Sequence, residues 1–220
     1  MSISATEQNY LKAIYKLSYR YGKESLASTG DLAKELSSTP ATVTDTLQRL
    51  SRKNLIHYRR YQGVTLTDEG MGIATDLIRL HRLWEVFLVE KLGYGWHEVH
   101  DIAEQLEHVF EEGLAERLDA FLGHPTHDPH GDPIVADPQE LQSLSPLSEL
   151  EDGAAFTVHR VADGDTEWLQ FAARQGLIPG TSGRIMEFIK ADSLLALLVN
   201  KKQVFISHAS AEKIFVTTNV

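Results

Sequence analysis

Thr39-Pro40-Ala41-Thr42-Val43-Thr44-Asp45-Thr46-Leu47-Gln48-Arg49-Leu50-Ser51-Arg52-Lys53 decides how the first third of the chain folds. A hydroxyl residue followed by proline is a strong helix start: the threonine can accept from the exposed amides of the first turn, and proline has no amide to lose there. Val43, Leu47 and Leu50 recur at helical spacing and give the helix one face to bury. Ala41, Thr42, Thr44, Asp45 and Gln48 then fall on the opposite face, with Arg49, Arg52 and Lys53 toward its end.

The flanking segments extend the pattern. Residues 7–21 carry Tyr10, Leu11, Ile14, Tyr15 and Leu17 at helical spacing, and Ser28 or Thr29 can cap a short helix over Asp31–Leu36. After Lys53 come two β-like runs, Leu55–Arg59 and Val64–Thr67. They are joined by Arg60-Tyr61-Gln62-Gly63, a hairpin turn with glycine where positive φ is needed. Helix, helix, turn, helix, hairpin is the order of a winged helix-turn-helix. In that fold Thr39, Pro40, Ala41, Thr42, Thr44, Asp45 and Gln48 face DNA bases. The small residues permit close approach, Thr and Ala meet thymine methyls, and Gln48 can pair with adenine. Arg49, Arg52 and Lys53, with Arg59 and Arg60 in the wing, meet phosphates.

Thr67 caps a second long helix, expected over Asp68–Leu92 and ended by Gly93. Leu77, Ile78, Leu80, Leu83, Trp84, Val86, Phe87, Leu88 and Val89 surround it, so it packs in more than one direction, which suits a subunit interface. Two further helices are expected, about Trp96–Glu107 and Phe110–Leu122. Six of the ten histidines lie between His97 and His130, among carboxylates. Their core is Glu104-x-x-Glu107-His108. At about 100° per residue these three share one helix face with His100 and Glu111, opposite Val99, Ile102, Leu106, Val109 and Phe110. Oxygen and imidazole donors one turn apart can share one divalent ion. Oxygen-rich sets with one or two imidazoles suit Mn²⁺ or Fe²⁺, with Zn²⁺ able to substitute.

His124–Pro138 has four prolines, three histidines and three aspartates with no helical period, and reads as a rigid, irregular connection. Beyond about Glu149 the texture is short β runs: Ala155–Val161, Gly183–Phe188, Leu194–Leu198 and Val204–Ser207. One short helix, Glu167–Arg174, precedes the Pro179-Gly180 turn. That suggests a small β-barrel. The chain is thus expected to be mainly α with a small β domain. The expected domains are 1–70, winged helix-turn-helix; 71–145, helical metal-binding and dimerisation domain; and 146–220, SH3-like.

Charge separates the same segments. Residues 1–66 hold 10 Lys/Arg against 5 Asp/Glu, residues 67–145 hold 4 against 17, and residues 146–220 hold 7 against 9. A basic first third suits a polyanion, and an acidic middle third suits cations. With no cysteine, disulfides and thiolate metal sites are excluded. No signal-like h-region follows Met1 and no apolar run could span a bilayer, so a cytoplasmic location is expected. Neither H-E-x-x-H nor G-x-S-x-G occurs, so a regulator is expected rather than an enzyme. The competing readings are a metalloenzyme built on the Glu/His cluster and a constitutive DNA-binding protein with a structural metal.

Asn9-Tyr10-Leu11-Lys12-Ala13-Ile14-Tyr15, Thr42-Val43-Thr44, Leu66-Thr67-Asp68-Glu69-Gly70, His81-Arg82-Leu83-Trp84-Glu85, Val99-His100-Asp101, Glu104-x-x-Glu107-His108 and Pro129-His130-Gly131-Asp132-Pro133-Ile134 occur in this order. Together they make the chain resemble the diphtheria toxin repressor / manganese transport regulator family, across essentially its whole length. The resemblance implies a homodimeric repressor of metal-homeostasis genes, with metal as co-repressor on a palindromic operator. It implies a primary site of Glu104, Glu107, His108, His81 and Asn9, and a second site drawing on Glu85, His100, His130, Asp128 and Asp165. Iron-type members have cysteine where Glu104 stands, so this chain follows the manganese pattern. Manganese regulators commonly have aspartate at the position of Asn9, and some add glutamate at that of Lys12; neither acid is present here.

Overall fold

The structure is a computed structural model, described for residues 3–19, 25–109, 111, 113–135, 137–162 and 166–218. It divides into two compact units: residues 1–81 with 105–117, and residues 82–104 with 118–220.

The first unit is built on α1 (Ala5–Ser18), α2 (Thr29–Glu35) and α3 (Pro40–Arg52), followed by β1 (Ile56–Arg59) and β2 (Gly63–Leu66). Thr39 caps α3 as expected, its side chain accepting from the Thr42 amide, with proline in the first turn. Val43, Leu47 and Leu50 are fully buried, and Thr46 joins them. Ser28, not Thr29, caps α2. The wing is antiparallel, pairing Ile56 with Leu66 and Arg59 with Gly63. Gly63 has φ +125°, and a Cβ there would lie 3.0 Å from the Ala27 carbonyl oxygen. Ala27 bridges to Val64, so glycine lets the wing close on the segment before α2. Tyr61 also takes a positive φ, 65°, at the tip of the turn.

Glu7 joins two ends of this unit. In the first turn of α1 it forms a capping box with Ser4. Its Oε2 also accepts from Lys53 Nζ, just past α3, at 2.8 Å. Burial opposes ionisation of Glu7, but the bonds from Lys53 and Ser4 outweigh it and hold the carboxyl below its usual 4.5. Because the folded value is depressed, the contribution is present above the unfolded value and lost as pH falls through the folded one. Glu7→Gln should therefore cost about 1–2 kcal/mol at neutral pH and less at an acid pH below the folded value. Urea unfolding at both pH values measures this, and an equal cost at both would show that the charge is not the source.

The long helix α4 (Asp68–Leu92) has the expected bounds. Thr67 Oγ1 accepts from the Gly70 amide, and Gly93 ends the helix at φ +75°. Residues 68–81 of it belong to the first unit and 82–92 to the second. No helix among the described residues is long and apolar enough to cross a membrane.

The next helices are shorter than expected. Helix α5 spans His100–Leu106, and α6 spans Leu114–Phe121 after Gly113 turns the chain at φ +77°. Phe110 lies outside the described residues. Because α5 ends at Leu106, Glu107 and His108 sit in a turn and do not continue a helical face, and Val109 is exposed. The turn carries Glu107 into a fully buried position.

In the second unit α7 (Pro138–Ser143) starts where an irregular connection was expected, capped by Asp137 on the amides of Gln139 and Glu140. The β part comprises β3 (Ser145–Pro146), β4 (Ala155–Val161), β5 (Ser182–Ile189), β6 (Leu194–Val199), β7 (Lys202–Ser207) and β8 (Ile214–Thr217), with α8 (Thr166–Gln175) and α9 (His208–Ala211). They form one six-stranded antiparallel sheet, ordered β3-β8-β4-β5-β6-β7. It fits an SH3-like domain, with bulges in β4 and β5 that bend the strands. Phe156, Leu147, Leu169 and Leu177 are at the centre of its core.

Candidate DNA-reading face and metal centres

On α3 the exposed residues are Pro40, Ala41, Thr42, Asp45, Gln48, Arg49, Ser51 and Arg52, with the capping Thr39 also exposed and Thr44 half-buried. Thr44 Oγ1 donates to the Pro40 carbonyl, and Thr42 and Thr39 share a hydroxyl contact at 2.9 Å. These bonds fix the first turn, so its small side chains are presented in one arrangement. Arg59 and Arg60 are exposed on the wing, the Arg60 guanidinium 5.1 Å from the Tyr61 ring centre.

In the same unit, α1, α4 and the turn after α5 bring ionisable groups together in a buried place. Glu107 Oε2 lies 2.6 Å from Lys12 Nζ and 2.6 Å from His81 Nδ1, and Lys12 Nζ lies 3.3 Å from His81 Nδ1. His108 Nδ1 meets Gln8 Oε1 at 2.8 Å, while its Nε2 is 4.0 Å from Glu107 Oε1. Glu107 Oε1 and Asn9 Oδ1 are buried with no hydrogen-bond partner. An orphaned carboxylate oxygen beside imidazoles is chemistry that suits a divalent ion, and the cation paired with Glu107 here is the Lys12 ammonium. Glu104, the further ligand expected here, lies in the second unit, one turn from His100, with His100 Nε2 3.8 Å from its carboxylate.

The second unit holds another set. Glu85 is fully buried, with its two oxygens 3.5 Å from His100 Nδ1 and 3.4 Å from His130 Nδ1. His130 Nε2 lies 2.9 Å from the Trp96 carbonyl oxygen, so this nitrogen must donate. In the neutral ring Nδ1 then turns a lone pair toward Glu85, an arrangement that a shared cation satisfies. Asp128 Oδ1 accepts the amides of His130 and Asp132, and ligand atoms of Glu85, Asp128 and His130 lie within 4.8 Å of one another. Burial, and then the charges of Glu85 and Asp132, push the Asp128 carboxyl up to about 8 against the pull of His130 and Arg82. Crowded buried carboxylates of this kind favour a cation among them.

Asp165 lies outside the described residues. Asp132, which the sequence reading did not single out, is buried, accepts from Arg82 and forms an ion pair with Arg160, so it serves as their counter-ion. Gln8 was equally unmarked, since a polar residue at the start of an amphipathic helix carries no distinguishing signal. His124 is exposed beside Asp119. His127 and His159 meet at Glu140.

Comparison with known proteins covers the chain in three stretches. Residues 2–64 match the N-terminal DNA-binding domain of iron-dependent repressors, residues 67–136 match their metal-binding and dimerisation domain, and residues 145–218 match the FeoA domain. The iron-dependent repressor IdeR of Mycobacterium tuberculosis is 36% identical over 129 residues, covering 59% of this chain and 55% of that protein. The diphtheria toxin repressor of Corynebacterium efficiens is 33% identical over 130 residues, with the same coverage. The chain thus spans about half the length of the curated relatives it matches. A manganese-dependent transcriptional repressor solved with manganese is 32% identical over 97% of this chain and 100% of that chain, at a TM-score of 0.86. ScaR solved with Zn²⁺ is 30% identical over 97% and 99%, at a TM-score of 0.80. With sequence likeness and fold agreeing along the chain, it belongs to the iron-dependent repressor family, the metal-dependent transcriptional repressors of the diphtheria toxin repressor and manganese transport regulator type.

Proposed function

We propose that the chain is a Mn²⁺- or Fe²⁺-dependent transcriptional repressor of metal-homeostasis genes, acting in the cytoplasm as a homodimer on a palindromic operator. One observation carries this reading: α1 packs in the DNA-reading unit and also supplies Lys12 and Gln8 to the buried Glu107–His81–His108 set. A change of cation at Glu107 therefore acts on a helix of the winged-helix core. Residues 1–70 would read DNA, residues 71–145 would bind metal and pair the subunits, and residues 146–220 would form the SH3-like domain.

At the first site Glu107, His108, His81 and Asn9 would hold the ion; at the second, Glu85, His100, Asp128 and His130, with Asp165 as a further candidate. The bound ion would supply positive charge that neutralises the acidic middle segment. This chain's residues supply the rest. Glu107 and His81 tie α1 to the middle segment, and a fixed α1 fixes the heading of α3. Metal that binds this arrangement better than others shifts the population toward it, and operator binding rises with it.

Lys12 favours a second reading in part. Its ammonium already links α1 to Glu107 without a metal, as a constitutive DNA-binding protein with a structural ion would require. Selection from a random DNA pool, in Mn²⁺ and in chelator, separates the two. A palindrome enriched only with metal supports the repressor. The same palindrome enriched equally in chelator supports the constitutive reading, and no enrichment with Mn²⁺ or anaerobic Fe²⁺ would overturn both.

The wing gives a smaller prediction. Arg60→Ala should weaken operator binding severalfold at low salt and lower the slope of log affinity against log salt by about 0.9, one phosphate contact. Fluorescence anisotropy across a salt series reads it, and an unchanged slope removes Arg60 from the phosphate contacts.

A further inference from the structure

We propose a third metal site, formed by His127, Glu140 and His159 and suited to Zn²⁺, apart from both sites described above. The three side chains come from separate elements: the segment before α7, α7 itself, and β4. They converge on one point. Glu140 Oε1 lies 2.6 Å from His127 Nε2 and 2.7 Å from His159 Nε2, and the rings meet edge to face with centres 5.4 Å apart. Their ligand atoms fall within 4.8 Å of one another, and all three residues are half-buried.

The backbone is built to bring them there. His159 sits at the register shift of β4 against β8, between Val158 and Arg160. A bulge re-aims a side chain that a regular ladder would direct elsewhere. The segment carrying His127 is pinned to the same place. Gly131 has φ +90°, and a Cβ on it would lie 2.0 Å from the His159 carbonyl oxygen, while the Val161 amide donates to the His130 carbonyl. His127 pairs with Pro133 across this loop, and its Nδ1 meets Thr126 Oγ1 at 3.0 Å. That contact orients the ring and leaves Nε2 pointing inward, as the outer partners of ligating histidines do. On α7, Asp137 caps the first turn through the Glu140 amide and so holds the carboxylate in position.

The donor set decides the ion. Two imidazoles and one carboxylate are a three-residue donor set of the kind that binds zinc with water as the fourth ligand. This set is richer in nitrogen than the first two sites, which carry more carboxylates. In the Irving–Williams order such a set binds Zn²⁺ well ahead of Mn²⁺. Zn²⁺ would replace two N–H donors that now share one carboxylate oxygen.

The test uses the full chain and Zn²⁺ itself, with ¹⁵N-histidine spectra and equilibrium zinc counting against a chelating dye. Wild type should bind one equivalent more than His159→Gln and than His127→Gln, or bind that equivalent at least tenfold more tightly. Wild-type Nε2 signals of His127 and His159 should move to the metal-bound range as Zn²⁺ is added. Either variant suffices should the other fail to fold. Equal zinc content and affinity in wild type and the folded variants would overturn the site, and a lowered melting temperature with unchanged zinc content would reduce the cluster to a structural His–Glu–His contact.

Discussion

Alanine at position 107 should abolish the manganese response of operator binding and should also destabilise the protein, and the two losses have different causes. The first is the removal of a ligand. The second comes from Lys12, whose ammonium lies 2.6 Å from Glu107 Oε2 with only 6% of its side chain exposed. Taking away one partner of a buried ion pair leaves the other charge uncompensated, at a cost of about 3–5 kcal/mol. The decisive comparison is therefore with Glu107→Gln/Lys12→Met, which removes both charges and keeps comparable volume. Melting temperature should fall in the single variant and recover in the double. Mn²⁺-dependent operator binding, measured by anisotropy, should be absent from both. A double variant that is stable and still responds to Mn²⁺ would remove Glu107 from the metal site.

Lys12 shows where the sequence could be read and where it could not. Helix α3 was legible because its signals are local: a capping threonine, proline at the first position and three buried residues at helical spacing. Helix α4 was legible for the same reason, and Glu107 stood out within the Glu104-x-x-Glu107-His108 cluster. What Glu107 pairs with was not legible, because Lys12 is 95 positions away and looks like any solvated lysine on an amphipathic helix. The same holds for His127, Glu140 and His159: nothing in the spacing of 127, 140 and 159 shows that a bulge in β4 turns the last of them toward the first. Helix α7 was missed because Pro138 read as a breaker when it is the first residue of the helix after a capping aspartate. Strand β3 is two residues long and is defined by its pairing with β8, so no local run announces it.

Methionine at position 12 should tighten binding of Mn²⁺ to the first site by about tenfold or more, although lysine is not a ligand and nothing is added. The argument is one of competition. A divalent ion that binds Glu107 and His81 must displace an ammonium that contacts both, at 2.6 and 3.3 Å. Each tenfold in affinity is about 1.4 kcal/mol, well within what a buried ion pair commands. Methionine keeps the volume and removes the competitor. It also leaves the Glu107 carboxylate buried without its counter-charge, so the variant should be less stable than wild type in chelator. Ligand that binds only the folded state then restores it. The melting temperature of Lys12→Met should therefore rise more on adding Mn²⁺ than that of wild type, and its operator binding should become more strictly dependent on the ion. Calorimetric titration with Mn²⁺ and thermal melts with and without metal measure both effects. A Lys12→Met protein with wild-type Mn²⁺ affinity would mean that the ion does not enter where the ammonium lies, and that regulation belongs to the set around Glu85 and His130. A protein that binds the operator fully in chelator once Lys12 is gone would mean that the tie between α1 and Glu107 does not control the DNA-reading unit at all. The expected result lies between these: Lys12 as a tethered cation that sets how much free metal the protein requires before it binds DNA.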